Sequence, residues 1–455
     1  MKKIALFYKA APKLSRKKWQ GVGTVPISSQ FCFIPGFAST HKSYTKRCSP
    51  NSGITQPETK NLFEIFSGCP SGGFCEAKSG FITEIRGCLP LGKIFHLDRS
   101  KGKMYTFVLM KTQTSAPVAK NLAALIGNTP LLLIPSLSRL TGCEIYLKCE
   151  HLNPGGSIKD RAALTMVLDA IEEGKLKKGM TIVEGTAGNT GIGLAVVAKA
   201  LGFELLAVMP RDQTKEKERM IALHGGNLKL VDPVPFKNEN HFYHTARRLA
   251  EENPKQYWWA NQFENLSNFK AHYTRTGPEI YEQMEGQIDF LVSVSGTGGT
   301  IAGNSVFLKE KTPQLKVILV DPPGSGLCSY FHTGEFKTEG SSLTEGIGIM
   351  RLVANFAKAK VDDAFTLPDQ DVVTIAQYLR NQDAIVLGSS TALNVAGALK
   401  VALQNGPGKR IVTFNCDLGE RSYSKLYNPE YLKSKNLDLT QTDIRLLVDK
   451  YIKMQ

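Results

Sequence analysis

The chain has 455 residues, 42% hydrophobic and 21% charged, a balance typical of a soluble globular protein with two or three domains. Its formal net charge of +15 is concentrated at the front, where residues 1–110 carry 17 Lys and Arg against 5 Asp and Glu. The nearly neutral remainder argues against a nucleic-acid-binding core, and no apolar run approaches the roughly 18 residues of a membrane span.

Residues 1–115 are predicted to form a basic, cysteine-containing N-terminal extension that is a leader or disordered. This segment has no acidic residue before Glu58 and shows no lasting helical or strand periodicity. Such a start is typical of an organelle transit peptide, which would place the protein in a mitochondrion or plastid. Two alternatives stay open, both compatible with a cytoplasmic protein: a disordered basic tail, or upstream sequence outside the working protein, with Met104 or Met110 as the true start.

The cysteines show no zinc-binding spacing, so the sequence predicts no metal site. They also lack the density of a small disulfide-rich domain, which favours an intracellular protein with reduced, mostly buried thiols. Five lie in the N-terminal extension and four in the rest of the chain, at Cys143, Cys149, Cys328 and Cys416.

From residue 116 onward, short apolar runs alternate with amphipathic segments of helical length, a pattern that predicts an α/β fold with a largely parallel sheet. In chain order, strands are predicted at 144–148, 180–184, 204–209, 227–231, 290–294, 316–320 and 410–415. Apolar residues at three- and four-residue spacing predict helices at 160–173, 190–201, 215–224, 242–252, 300–310, 371–381 and 391–404. A last amphipathic segment, 442–453, carries Ile444, Leu447 and Tyr451 on one side.

Lys159 is the first candidate site residue along the chain. It lies in Asn-Pro-Gly-Gly-Ser-Ile-Lys-Asp-Arg, residues 153–161, where Gly155 and Gly156 permit a tight bend at the start of a predicted helix. A lone lysine in such a place is usually exposed, but burial would lower its pKa and make it a Schiff-base nucleophile. The second element is the polar loop 184–193, and neither element has the glycine spacing of a nucleotide phosphate loop or of the dinucleotide fingerprint.

Two further loops each begin a predicted helix. Residues 295–301, Ser-Gly-Thr-Gly-Gly-Thr-Ile, follow a predicted strand, and their backbone N–H groups and two hydroxyls suit a dianionic phosphate without a lysine. A purely structural glycine turn is the alternative. Residues 387–393 contain Ser390 and Thr391, and either hydroxyl could simply cap the helix.

The order of these four elements resembles the tryptophan-synthase-β-like family of pyridoxal-phosphate enzymes (fold type II), and within it the cysteine synthases, or O-acetylserine sulfhydrylases. The resemblance covers about residues 120–430 and includes the motifs at 126–130, 261–263, 276–280, 321–323 and 345–348. It implies two open, twisted, mostly parallel α/β domains with the cofactor in the cleft between them. It also implies a catalytic core over 116–432, with a smaller subdomain of about 157–264 inserted in the larger one, followed by a tail, 433–455, with a short helix.

The resemblance assigns roles to matching positions. Lys159 is similar to the catalytic Schiff-base lysine, Asn189 to the hydrogen-bond partner of the cofactor's phenolic oxygen, and Ser390 to the hydroxyl that faces the pyridine nitrogen. The remaining cofactor contacts resemble a phosphate cup formed by Gly296, Thr297, Gly298, Gly299 and Thr300. The residues similar to the family's substrate-binding site are Thr186, Ala187, Gly188, Asn189, Thr190, Gln262 and Gly346.

The activity implied is formation of L-cysteine from O-acetyl-L-serine and sulfide, with release of acetate, through an aminoacrylate intermediate. The family usually has Ser at position 187, so Ala187 keeps the backbone donor of the loop but loses a hydroxyl. A serine opposite the pyridine nitrogen stabilises a protonated ring weakly, which favours elimination over transamination.

Two alternative functions stay open. Cystathionine β-synthase or a cysteine desulfhydrase-type β-eliminase would use the same core motifs with another leaving group or nucleophile. A non-catalytic relative would bind a partner protein in the cleft, although its lysine and phosphate cup should then be damaged. The partners expected from the resemblance are an amino-acid substrate, sulfide, a second copy of the chain in a homodimer, and serine acetyltransferase, with no nucleic acid and no membrane span.

Overall fold

The computed structural model of the protein describes residues 5–10, 25–26, 93–98, 103–110 and 118–453. Most of the predicted N-terminal extension, with its five cysteines, therefore lies outside the described residues, and its interpretation as a leader or a disordered segment stays a prediction. The chain divides into two compact units, Met1–Val118 and Ala119–Gln455.

The first unit contains a four-stranded antiparallel sheet. Its strands are β1 (Ala5–Ala10), β2 (Val25–Pro26), β3 (Lys93–Asp98) and β4 (Lys103–Met110), in the order β2-β1-β4-β3. The sequence analysis does not predict these strands, because the segment shows no lasting strand periodicity.

The second unit alternates strands with helices. In chain order its strands are β5 (Leu131–Leu133), β6 (Glu144–Lys148), β7 (Thr181–Gly185), β8 (Glu204–Pro210), β9 (Asn227–Val231), β10 (Tyr257–Trp259), β11 (Phe290–Val294), β12 (Lys316–Asp321), β13 (Asp363–Thr366) and β14 (Arg410–Phe414). Its helices are α1 (Pro135–Thr141), α2 (Lys159–Glu172), α3 (Asn189–Leu201), α4 (Lys215–Leu223), α5 (Phe242–Glu252), α6 (Ser267–Ala271), α7 (Gly277–Gln283), α8 (Gly299–Lys311), α9 (Leu327–Thr333), α10 (Asp369–Asp383), α11 (Ser389–Asn405), α12 (Pro429–Ser434) and α13 (Ile444–Lys453).

These strands form two sheets. The larger has the order β13-β12-β11-β14-β6-β5, and all of its neighbours are parallel except the edge pair β5 and β6. The smaller, β10-β7-β8-β9, is fully parallel, and its strands fall in sequence between β6 and β11. The predicted α/β fold with mostly parallel sheets is confirmed.

The strand sequences reflect burial on both faces. Strand β7 places Ile182 and Val183 in the interior, and strand β12 buries every residue after Lys316. Parallel strands covered by helices on both sides need such continuous apolar runs rather than an alternating pattern. Helix α13 closes one side of the core with the predicted face of Ile444, Leu447 and Tyr451, all of which are buried.

Several elements escape sequence reasoning. Strands β5, β10 and β13 have three or four residues, which is too short for periodicity to register. Helices α1, α6, α7, α9 and α12 are also unpredicted, and each has five to seven residues. In the part of the chain that the structure describes, no helix is both long enough and apolar enough to cross a membrane.

The two sheets position the loops of interest. Residues 186–190 follow β7 in the smaller sheet, and residues 295–299 follow β11 in the larger one. Cys416 and Asp417 come shortly after β14, which neighbours β11. The carboxyl ends of parallel strands carry the loops that bind ligands in open α/β sheets, so these loops are placed to share one site.

Candidate active site

One cavity of about 490 Å³ brings most of the predicted site residues together. Gly299 is the exception, since it is not among the residues that line the cavity. It is the first residue of helix α8, and a Cβ atom there would come within 2.5 Å of Asn268 Cγ. The predicted residues that line the cavity are Lys159, Thr186, Ala187, Gly188, Asn189, Thr190, Gln262, Gly296, Thr297, Gly298, Thr300, Gly346 and Ser390.

Lys159 is the first residue of helix α2, directly after the glycine bend. Gly156 adopts a φ of +74°, which glycine tolerates without strain, and the backbone N–H of Ile158 donates to Cys416 O at 2.8 Å. Desolvation lowers the pKa of the Lys159 amine, so more of it is neutral and nucleophilic. Among the described residues, none forms a hydrogen bond or ion pair with Lys159 Nζ, which leaves the amine available to a ligand.

The loop 186–190 turns the chain from β7 into helix α3. Thr186 Oγ1 accepts from the backbone N–H of Gly188 at 2.9 Å, and Gly188 has a φ of +138°. A side chain at Gly188 would collide with the Lys217 side chain, so this position needs glycine. Backbone N–H groups at the start of helix α3 are suited to a carboxylate, and Ala187 supplies its own as well as a serine would.

Gln262 lies under this loop, and both N–H groups of its side-chain amide are already bonded within the protein. Its Nε2 donates to Glu184 Oε1 at 2.9 Å and to Gly185 O at 3.0 Å, while Thr190 Oγ1 donates to its Oε1 at 2.5 Å. In this arrangement Gln262 supports the loop, and it would need to give up a bond in order to donate to a substrate. Its partner Glu184 is buried, and desolvation raises the pKa of that carboxyl to about 8.

The turn 296–300 has the features of a phosphate cup. Gly298 adopts a φ of +87°, and a Cβ atom there would lie within 2.5 Å of Phe356 Cα. Helix α8, of 13 residues, begins immediately afterward, and Gly298 and Thr300 at its start line the cavity. The N–H groups of a helix start favour an anion. Asn268 Nδ2 donates to Thr297 Oγ1 at 2.9 Å, and the buried His272 lies 3.3 Å from Thr300 Oγ1. Both hydroxyls are therefore held in place from behind.

Ser390 lies in the first turn of helix α11 and faces the same cavity. Its neighbour Cys416, which was expected only to be a buried structural thiol, also lines the cavity. Asn394 Nδ2 donates to Cys416 Sγ at 3.3 Å, and desolvation raises the pKa of the Cys416 thiol to about 12. A thiol that holds its proton so strongly is a poor nucleophile, so Cys416 acts as a wall of the site.

Every residue of the segment 342–351, here named the strap, lines the cavity. The backbone N–H of Gly348 donates to Ser295 O at 2.8 Å. At its start, Glu345 is bound by Lys217 Nζ at 2.6 Å and by Lys425 Nζ at 2.5 Å. Lys217 belongs to helix α4 beside the smaller sheet, so this ion cluster joins the strap to the opposite wall of the cavity.

The chemistry of these groups fits pyridoxal phosphate. The cavity offers an unpartnered amine for an aldehyde, a glycine cup at a helix start for a phosphate, and a neutral hydroxyl for a ring nitrogen. Ser295 Oγ is buried beside the cup and has no hydrogen-bond partner among the described residues, so it is a further group available to a ligand. No group of three or more His, Cys, Asp or Glu side chains in the described ranges could hold a metal ion.

Sequence reasoning missed several residues around the cavity. Asp417 and Arg421 follow the predicted strand 410–415, and their position after the carboxyl end of a parallel strand was a usable signal. Glu184 and Lys217 carried no comparable signal, because their partners lie far away in the chain.

The sequence matches the family described as "Pyridoxal-phosphate dependent enzyme" over residues 122–417. A cysteine synthase of Dictyostelium discoideum is 44% identical over 335 residues, which are 71% of this chain and 88% of that protein. Cysteine synthase 2 of Schizosaccharomyces pombe is 44% identical over 341 residues, which are 70% of this chain and 86% of that protein.

Two solved structures are similar in fold as well as in sequence. O-acetylserine sulfhydrylase isoform 3 from Entamoeba histolytica superposes with a TM-score of 0.65 at 31% identity, over 75% of this chain and 99% of that chain. The O-acetylserine dependent cystathionine beta-synthase from Helicobacter pylori gives a TM-score of 0.62 at 30% identity, over 68% of this chain and 99% of that chain.

Proposed function

The chain belongs to the family of pyridoxal-phosphate dependent enzymes, and on that premise we propose that it forms L-cysteine from O-acetyl-L-serine and sulfide, releasing acetate. The convergence of three sequence-distant elements on one cavity supports this most directly. The amine of Lys159, the N–H groups of loop 186–190 and the glycine turn 296–300 all line it.

Each group in the cavity has a distinct proposed role in the reaction. Bound pyridoxal phosphate supplies an electron sink that acidifies the α-hydrogen of an amino acid and lets its β-substituent leave. Lys159 would hold the cofactor through its amine, and the same amine would take the α-proton of the substrate and return a proton to the product. The loop 186–190 binds the substrate carboxylate, and the turn 296–300 anchors the phosphate. The strap excludes water while the β-position is reactive.

Ser390 keeps the chemistry at the β-carbon. Its hydroxyl is neutral, so it stabilises a protonated pyridine ring less than a carboxylate would. A weaker electron sink favours loss of the β-substituent over transamination. The resemblance and this arrangement of groups support the residue roles, and each role can be tested by substituting the residue.

The test compares two substrate pairs on the full chain loaded with pyridoxal 5'-phosphate. We expect kcat/KM for O-acetylserine with sulfide to exceed that for serine with homocysteine by at least about tenfold. Lys159→Ala should lose the visible absorption band of the lysine-bound cofactor and lower kcat by about a hundredfold or more.

Each contrary outcome selects a different function. Preference for serine with homocysteine would identify a cystathionine-forming enzyme, an alternative that the Helicobacter neighbour makes specific. Release of sulfide from cysteine as the main activity would identify a β-eliminase. A wild-type preparation without the visible band and without turnover would indicate a non-catalytic binding module.

The assembly and location of the enzyme are proposed from the resemblance and from the basic front segment. We propose a homodimer with one site in each subunit, able to bind serine acetyltransferase at the cleft. Residues 116–432 would form the catalytic core and 433–455 a tail. The enzyme would be cytoplasmic, or mitochondrial or plastid if residues 1–115 act as a transit peptide. Light scattering and the mass of the mature chain would test these points.

A further inference from the structure

The side-chain amide of Asn189 is held from both sides by one short segment of the chain. Its Nδ2 donates to Asp417 Oδ2 at 2.7 Å, and Arg421 Nη1 donates to its Oδ1 at 2.9 Å. Asp417 and Arg421 are buried, with 4% and 3% of their surfaces exposed. Both charged side chains therefore reach the site from within the protein rather than from solvent.

This pair of contacts allows only one orientation of the amide. A guanidinium only donates hydrogen bonds and an ionised carboxylate only accepts them. A flipped amide would bring two donors together at Arg421 and two acceptors together at Asp417. The amide nitrogen has two hydrogens and Asp417 accepts one of them, and no group among the described residues accepts the other, so one N–H of Asn189 remains free at the cavity wall.

The same segment also holds the lysine loop. Arg421 Nη2 donates to Gly155 O, and the N–H of Leu418 donates to Gly156 O at 3.2 Å. A side chain at Gly156 would lie 2.6 Å from Arg421 Nη2. Residues 417–421 thus form hydrogen bonds both with the glycine bend before Lys159 and with the amide of Asn189. These bonds fix the position of the Asn189 amide relative to the bend.

We propose that Asp417 and Arg421 are positioning residues that lock the amide of Asn189, so that its one free N–H faces the phenolic oxygen of the lysine-bound cofactor. The inference rests on the proposed function for the cofactor and for the contact of Asn189. It adds two residues that act through Asn189 without touching the substrate. The charge of Asp417 also opposes the desolvation that lowers the pKa of Lys159.

The variants Arg421→Met and Asp417→Asn test the lock in the full chain loaded with pyridoxal 5'-phosphate. A donor to the phenolic oxygen favours its ionised form, so loss of the lock should shift absorption from the long-wavelength band to the short-wavelength band. We expect the Kd for pyridoxal 5'-phosphate to rise by about tenfold, as for loss of one charge-supported hydrogen bond. Arg421→Lys should restore part of both properties, and Glu420→Gln, exposed in the same segment, should change neither.

Asn189→Ala separates positioning from general support. If Arg421 acts through Asn189, Arg421→Met should change the band ratio in the wild-type background and leave it unchanged in the Asn189→Ala background. Equal spectral shifts in both backgrounds would overturn the proposal. It would also be overturned if Arg421→Met and Asp417→Asn kept the wild-type band ratio, with Kd within about twofold, while only Tm fell.

Failure of the underlying cofactor assignment gives a different result, because the wild-type chain would then show no visible band at all. If Arg421→Met does not fold, the band ratios of Asp417→Asn and of the double variant Asn189→Ala/Asp417→Asn provide the same test. Asp417→Asn keeps the size and shape of the buried side chain and removes only its charge and its acceptor-only character.

Discussion

At the scale of single residues, the buried carboxyl of Glu184 positions Gln262, the side chain that lies under the substrate loop. Its Oε1 accepts from Gln262 Nε2, while its Oε2 has no partner among the described residues. Desolvation raises the pKa of Glu184 from 4.5 to about 8. The carboxyl is therefore neutral at pH 7, and it supports Gln262 without placing a negative charge beneath a loop suited to a carboxylate.

The raised pKa of Glu184 predicts a pH-dependent stability. The folded state holds the Glu184 proton up to about pH 8, whereas the unfolded chain releases it near pH 4.5. The stability from this group is thus fully present below pH 4.5 and is lost as pH rises through 8, at about 1.4 kcal/mol per pH unit between those values. Glu184→Gln removes the titration, so Tm of the variant minus Tm of the wild type should become more positive from pH 5 to pH 8. A difference that stays constant would contradict a neutral Glu184.

At the scale of elements, the cluster of Glu345 with Lys217 and Lys425 links the strap to helix α4, and Thr214 Oγ1, just before that helix, also donates to Glu345 Oε2 at 3.3 Å. The side chains of Glu345 and Lys217 are 8% and 4% exposed, so their charges depend on each other. Although desolvation raises it, the two lysines together hold the pKa of Glu345 below its usual range. This cluster holds the strap against the cavity. Within it, Lys217 also packs against Gly188 of the substrate loop.

Removing the charge of Glu345 should loosen the strap. Glu345→Gln leaves two largely buried ammonium groups without a counter-ion, and we expect it to lower the free energy of unfolding by about 3 kcal/mol. Because the strap closes the substrate side, KM for the amino-acid donor should rise more than kcat falls. Chemical denaturation and steady-state kinetics measure both effects.

The matched control for this prediction is Glu204→Gln. It breaks the exposed ion pair with Lys199, whose side chains are 50% and 55% exposed, and should cost less than about 1 kcal/mol. Equal losses for the two variants would mean that the buried cluster contributes no more than a surface pair.

At the scale of the whole molecule, the unit Ala119–Gln455 holds its own core. Separate hydrophobic clusters lie on the two faces of the larger sheet and against the smaller sheet, and their described residues all belong to this unit. Every described residue that lines the cavity belongs to the same unit.

We therefore predict that a chain starting at residue 116 folds and binds pyridoxal 5'-phosphate as the full chain does. Its Tm should lie within about 2 °C of the full-length value, and its visible band should be unchanged. Thermal denaturation and absorption spectra of the two chains, measured side by side, check this. A shortened chain that aggregates or loses the band would show that residues before 116 contribute to the catalytic unit.

Much of the architecture is encoded locally. The apolar runs of the longer parallel strands, the amphipathic helices and the glycine turns at 155–156 and 296–300 are all visible in the linear order of residues. Their sequence patterns follow from burial on both sheet faces and from the backbone angles that only glycine adopts freely. The fold that these patterns predict is confirmed, and so are the family, cofactor and cysteine-forming activity that the resemblance implies, while the individual residue roles and domain limits stay predictions.

The linear order of residues specifies which groups the chain offers: the amine of Lys159, the polar loop, the glycine cup and the late serine. How these groups are held depends on contacts between segments that are distant in the chain. Asp417 and Asn189 are 228 residues apart in the chain, and Glu345 and Lys217 are 128 apart. No periodicity or turn signal joins such positions, because burial and partnership of a charged side chain arise only when distant segments fold together.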